Sequence, residues 1–308
     1  MRYGLGLPQR GGMDLRRDVT GIARAAEAAG YESLWVYERV LYPANPADGL
    51  YGIPGVPWIE WYEEAADALT VLTLAAAVTE HVRLGTAILV APFYSPLHLA
   101  RALATLDRAS GGRVVAGLGS GWSTDEYRGI AADFATRGRA LEETIDACRA
   151  LWGPDPVSYR DSRIVIDEAR VSPKPAAPIP VLLGGGYTSR ALRRIAEKAD
   201  GWLPSGLPAG AIRQGWSQIL DLAEGYGRKP EDLTLIPRAN IFLSESPAGA
   251  DREPFHGNVA QILDDFAEVA DTAADEVIVE LGPSVRDGKE LLDTALEMFD
   301  ALAKAGLR

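Results

Sequence analysis

The chain has 308 residues, of which 47% are hydrophobic, and a formal net charge of −12. That length and apolar content allow one large α/β barrel or two ordinary domains, and the acidic balance opposes nucleic acid and anionic membrane surfaces. The opening MRYGLGLPQRGGMDLRRDV has no uninterrupted apolar region ahead of a cleavage site, no run approaches a membrane span, and Cys148 is the single cysteine, so a cytoplasmic protein without disulfides is expected.

Short apolar runs alternate with helical periods throughout. YGLGLP is the first strand, followed by a helix from about Asp14 that stops at Gly30. SLWVYE is the second. A long segment rich in Pro, Gly and aromatics, RVLYPANPADGLYGIPGVPWIEWYEE, then precedes a helix near residues 66–79. VRLGTAILVAPF is the third strand, and Ser95 and Pro96 cap the next helix, which ends at Gly111. VVAGLGSGW is the fourth, with its helix over 137–152, whose period packs Cys148 inward. VSYRDSRIVIDEARV reads as an inserted extended pair, and a Pro-rich lead-in brings PVLLGGG, the fifth strand. GWLPSG, TLIPRANIFLS and EVIVELG, alternating with helices over 189–198, 211–224, 259–270 and 289–303, complete eight units.

No linker or shift in composition divides these units. The expected fold is one (β/α)8 TIM barrel over residues 1–308, with an insertion after the fourth strand-helix unit and a long loop after strand two. A doubly wound sheet with a second domain needs a boundary, and only the Pro-rich stretch 172–180 offers one.

In such a barrel chemistry belongs to the loops at the C-terminal strand ends. The spacing of Gly117, Gly119 and Gly121 fails the dinucleotide fingerprint, because the third glycine would fall at Trp122. Glycines two apart on a strand share a face, which leaves room for a flat group or for close strand packing. In LLGGGYTSR, Gly184, Gly185 and Gly186 end a strand and Thr188 caps the following helix. That arrangement suits a phosphate or a plain strand-to-helix turn. The three histidines form no close ligand pair, so no metal site is expected. His81 and His98 read as structural, and His256, after strand seven, as a weak substrate-side candidate. No G-x-S-x-G elbow is present, and no lysine at a strand end supports an aldolase or isomerase. Tyr51, Trp58 and Trp61 lie in the long loop after strand two, which reads as a substrate lid or as an oligomer contact.

The ordered set LGTAILVAPFYSPLHLARALATLDRASGGRVVAGLGSGW, FATRGRALEETIDACRALW, PKPAAPIPVLLGGG and ALRRIAEKADGW resembles the luciferase-like oxidoreductase superfamily, and within it the branch using the deazaflavin coenzyme F420. The likeness covers nearly the whole chain. It implies a barrel that binds coenzyme F420, or alternatively FMN, at its mouth, with the phosphate at Gly184, Gly185, Gly186 and Thr188. It further implies a non-prolyl cis peptide at Ala87 and Ile88 behind the ring, and Gly119, Gly121 and Trp122 beside ring or substrate.

The family motif after strand two ends in an acidic residue and His, whereas this chain has Glu38 and Arg39. Arg39 cannot act as an acid or base near neutrality but can hold an anion or stabilise charge on a reduced ring. Glu38 becomes the proton-handling candidate, or else the ion-pair partner of Arg39. Ser120 stands where flavin luciferases carry a basic residue near the phosphate, which tilts the cofactor toward the deazaflavin. The resemblance therefore implies hydride transfer to or from a small organic substrate in a homodimer. The alternatives are FMN-dependent monooxygenation and a flavin-binding protein without turnover.

Overall fold

The computed structural model describes residues 1–308. Eight parallel strands form the barrel: Arg2–Gly6, Ser33–Val36, Arg83–Thr86, Val114–Gly119, Val181–Gly184, Gly201–Leu203, a seventh in two pieces, Thr234–Leu235 and Arg238–Asn240, and Glu276–Glu280. Each pairs with its neighbours in sequence, and the first pairs with the last through Arg2 opposite Glu276. Strand seven closes the ring. Its first piece bonds to strand six and its second to strand eight, with the Ile236 N–H donating to the Trp202 carbonyl (2.9 Å) between them.

Two apolar layers follow from this closure. Strand residues such as Leu34, Leu84, Ala116 and Val279 pack outward on the helices in a cluster of 63 buried residues. Inside the ring, Trp35, Ala87, Val115, Leu182, Leu203, Ile236 and Ile278 form a second cluster. Trp35 is 1% exposed and occupies space that its neighbours must leave: a Cβ on Gly85 would sit inside the indole. Strand glycines are thus required by one large interior ring.

The helices begin and end where capping chemistry allows. Asp67 accepts from Thr70 N–H at the start of Ala68–Ala76, Asn258 and Gln261 form a capping box on Val259–Ala270, and Asp287 caps Gly288–Lys304. Gly30 and Gly111 adopt φ of 102° and 74° and end their helices as expected. Two expectations are corrected. Asp14 caps a π-helical turn, Leu15–Val19, and the α-helix starts only at Thr20. Ser95 makes no side-chain cap bond to Pro96–Ser110, so Pro96 alone marks that start.

The inserted pair is an antiparallel hairpin, Val157–Arg160 with Val165–Ala169, after the helix Arg137–Trp152. Within that helix Cys148 is fully buried, and burial pushes its thiol up to about 12, consistent with packing. A short helix not expected from the periodicity, Thr124–Ile130, follows strand four. Seven residues are too few to show a clear period, and only Ser123, which accepts from Glu126 N–H, marks its start.

Candidate active site at the barrel mouth

The floor of the mouth is the end of strand three. Its ladder stops at Thr86, the Ala87–Ile88 peptide is cis, and Leu89–Val90 then pairs with strand four. The Ala87 carbonyl accepts from Arg238 Nη1 (3.0 Å), and Arg238 Nη2 donates to Glu280 Oε2 (2.9 Å). The half-buried guanidinium therefore ties strands three, seven and eight together across the ring. In the sequence Arg238 falls among the strand-end residues of the expected active face, with no role assigned to it.

Ile88 lies across the ends of strands four and five. A Cβ on Gly119 would come within 2.8 Å of Ile88 Cδ1, and one on Gly184 within 2.6 Å of Ile88 Cγ2. Gly121, with φ of 64°, is held as closely by Val90, whose Cγ1 would be 2.7 Å from an added Cβ. Of the two readings of the glycine spacing, a flat group or close strand packing, the second holds at Gly119 and Gly121: this chain's own Ile88 and Val90 fill the room, because strand three bends across it.

Glu38 is 7% exposed, and both its oxygens are engaged. Oε2 accepts from Val90 N–H (2.6 Å) and Oε1 from the Tyr94 hydroxyl. Burial pushes its carboxyl up to about 7, against the opposing pull of these two bonds. The expected ion pair between Glu38 and Arg39 is not formed. Arg39 donates from Nε to the Glu38 backbone carbonyl (2.8 Å) and pairs through Nη1 with Glu126 Oε2 (2.8 Å). The buried Glu38 carboxylate faces strand three, whereas Arg39 reaches outward to the short helix after strand four.

Glu126 is 1% exposed and also accepts from Val40 N–H (3.0 Å) through Oε1. Burial raises its pKa, and Arg39 opposes that shift. The sequence assigned it no role, since a glutamate in the first turn of a helix commonly serves its own helix terminus. Here the carboxylate crosses to the loop after strand two instead.

Around the Arg39 guanidinium stand three rings, Trp122 at 5.0 Å, Tyr62 at 5.4 Å and Trp58 at 5.8 Å. Trp58 packs on Trp122 with centroids 4.7 Å apart, and its indole N–H donates to the Asp48 carbonyl (2.9 Å). Tyr51 meets Trp122 edge-on, and its hydroxyl lies 3.0 Å from that of Tyr62. Trp61 packs against Phe242 beyond strand seven. Asp48 accepts from Thr124 N–H (2.7 Å), and Asp125 accepts from Ala47 N–H (2.8 Å), so the segment is stitched to the short helix. The structure thus joins Tyr51, Trp58, Trp122 and Arg39 in one cluster, with Trp61 at its far edge.

The loop after strand five is built differently. The backbone N–H groups of Gly185, Gly186 and Tyr187 donate to no group of the chain, and a Cβ on Gly186 would meet nothing within 4 Å. Thr188 caps the helix Ser189–Lys198 by accepting from Ala191 N–H. Free amides aimed from a strand end and a helix start fit a phosphate group. Of the histidines, His81 is exposed in the bend before strand three and His98 on the helix Pro96–Ser110, whereas His256 lines a recess beside strand seven.

No helix is long and apolar enough to cross a membrane. Comparison with solved structures finds the fold again in a monooxygenase from Streptomyces bottropensis, at TM-score 0.79 and 19% identity, covering 100% of this chain and 99% of that one. Among curated proteins, an uncharacterised protein of Mycobacterium tuberculosis is 35% identical over 187 residues, which is 59% of this chain and 65% of that protein's own length. An F420-dependent glucose-6-phosphate dehydrogenase of Amycolatopsis mediterranei is 30% identical over 174 residues, 55% of this chain and 48% of that protein. An FMNH2-dependent dimethylsulfone monooxygenase of Pseudomonas putida is 35% identical over 130 residues, 41% of this chain and 35% of that protein. The model of the luciferase-like monooxygenase family matches residues 3–292, and the chain belongs to that family of oxidoreductases.

Proposed function

We propose that the barrel mouth binds coenzyme F420 and that the protein transfers hydride between this deazaflavin and a small organic substrate. The observation that carries the reading is the pairing, in one mouth, of a bent apolar floor at Ala87–Ile88 with three unused amides at Gly185–Tyr187. The amides and Thr188 would hold the phosphate, and Ile88, backed by Gly119 and Gly184, would support the ring. A bound deazaflavin supplies two-electron hydride chemistry, whereas reduced FMN would supply oxygen activation.

This chain's own residues do the rest. Glu38 holds the bent end of strand three through Val90 and Tyr94, which makes it a positioning residue, and Arg238 fixes the Ala87 carbonyl from the other side. Arg39, neutralised by Glu126, holds the rings of Trp58, Tyr62 and Trp122 together at the mouth, and Gly121 lets Val90 pack under Trp122's segment. The aromatic segment with Tyr51, Trp58 and Trp61 excludes water. Homodimer formation belongs to the same proposal and is checked by light scattering.

Titration of the purified protein with coenzyme F420 and, separately, FMN tests the reading, followed by cofactor absorbance and fluorescence. Saturable binding of F420 that weakens on Gly185→Pro is the expected outcome. Preferential binding of FMN, with oxidation of the reduced complex by oxygen, would move the assignment to a monooxygenase. Tight binding without turnover on a broad acceptor panel would leave a flavin-binding protein, a reading favoured by the engagement of Arg39 with Glu126.

A further inference from the structure

Beside the floor, the ends of strands six and seven enclose a recess of about 160 Å³, well below the ~300–1,000 Å³ of pockets for drug-sized ligands. Gly206, Leu207, Arg238, Asn240, Phe242 and His256 line it. Arg238 is the guanidinium that holds the Ala87 carbonyl, so the inner wall of the recess is continuous with the floor of the mouth. Phe242 forms its outer wall, edge-on to His256 at 4.1 Å and in contact with Trp61 of the aromatic segment.

The polar groups facing this space are left with capacity to spare. His256 spends its backbone on neighbours, its N–H on the Glu253 carbonyl (3.2 Å) and its carbonyl on Arg252, while neither ring nitrogen bonds to the chain. Asn240 donates from Nδ2 to Ser205 Oγ (3.2 Å), and its side-chain oxygen remains available.

Charge decides which ligands are admitted. Arg238 is balanced by Glu280 at 2.9 Å and Arg252 by Asp265 at 2.6 Å. Glu253, exposed at the rim of the recess, has no cationic partner within salt-bridge distance. Burial pushes the His256 imidazole below its usual value, so near neutrality it adds no positive charge. An anion would enter beside an unbalanced carboxylate with no free cation to receive it.

We propose that this recess is the substrate pocket and that it takes a small neutral molecule bearing a hydroxyl or carbonyl oxygen, held by His256 and Asn240, and rejects carboxylates and phosphates of similar size. As the substrate end of the reaction proposed above, it rests on that reading, although its occupancy can be measured without any cofactor.

The protein contains three histidines, so 15N-histidine labelling reports on the recess directly by NMR. Cyclohexanol or cyclohexanone should shift the His256 ring signals saturably, leaving those of His81 and His98 in place, and cyclohexanecarboxylate should not. Asn240→Leu should weaken binding about tenfold, the loss of one hydrogen bond at the site, and Leu207→Trp should abolish it by filling the space. Equal or tighter binding of the carboxylate would overturn the proposal, as would neutral compounds that leave His256 unmoved in the unmodified protein with and without FMN or F420. Cofactor binding is measured in the same samples. If cofactor binds and the neutral compounds do not, the pocket assignment fails alone. If they bind and neither cofactor does, the redox reading fails and the pocket stands.

Discussion

The two sides of the barrel mouth are built on opposite principles. Toward strands two to four, the buried Glu38 and Glu126 and the half-buried Arg39 are satisfied by one another's loops, and Ile88 fills the space its glycine neighbours leave. Toward strands five to seven, the Gly185–Tyr187 amides and the His256 ring make no bond within the chain. A wall that must not move consumes its own polar groups, whereas a surface meant for a ligand keeps them unspent.

Breaking the wall should have the largest effect. Arg39→Ala strands the buried Glu126 carboxylate and should cost about 3 kcal/mol in urea unfolding, with Arg39→Ala/Glu126→Gln recovering part of it. An undiminished midpoint for the single variant would show that the pair does not secure the aromatic segment.

The pH dependence comes next and has a defined sign. The Glu38 carboxyl is pushed up from 4.5 to about 7 by burial, so the folded protein keeps a proton that the unfolded chain releases. Its contribution is fully present below pH 4.5 and is lost as pH rises through about 7. Against the unmodified protein, Glu38→Gln should therefore become relatively more stable with rising pH, by on the order of 3 kcal/mol across the window. A difference curve that is flat between these limits would contradict the burial of that group.

A pair of glycine variants sharpens the contrast between the two sides. Gly184→Ala drives a methyl into Ile88 and should lower stability by about 1–2 kcal/mol, while Gly186→Ala, two residues on, meets open space and should change it by less than ~0.5 kcal/mol. Similar thermal shifts for both would remove the distinction drawn between them. A loss of about 1 kcal/mol is expected of Thr188→Ala through the lost cap, seen in thermal unfolding together with weaker F420 binding in the titration.

The number of strand-helix units, the inserted hairpin and the stops at Gly30 and Gly111 were legible in the sequence, because each rests on a local rule of periodicity or backbone freedom. The cis bond at Ala87–Ile88 was legible only through family resemblance, since no local propensity marks it. Less could be read of the charged groups. Glu38 and Arg39 are adjacent in the chain and invite pairing, yet both lie in the loop beyond strand two, where Glu38 meets Val90 and Tyr94 after strand three and Arg39 meets Glu126 after strand four. Nothing local to Glu126 and Arg238 marks their partners, which lie 87 residues away at Arg39 and 151 residues away at Ala87.

By itself, then, the sequence determined the order of elements, the barrel they close into and the glycines at the strand ends, through patterns that act over a few residues. Only the tertiary structure decided what those glycines admit and which carboxylate neutralises Arg39. Side-chain contacts between distant strand ends depend on how the ring closes, and closure brings together residues that no local pattern connects.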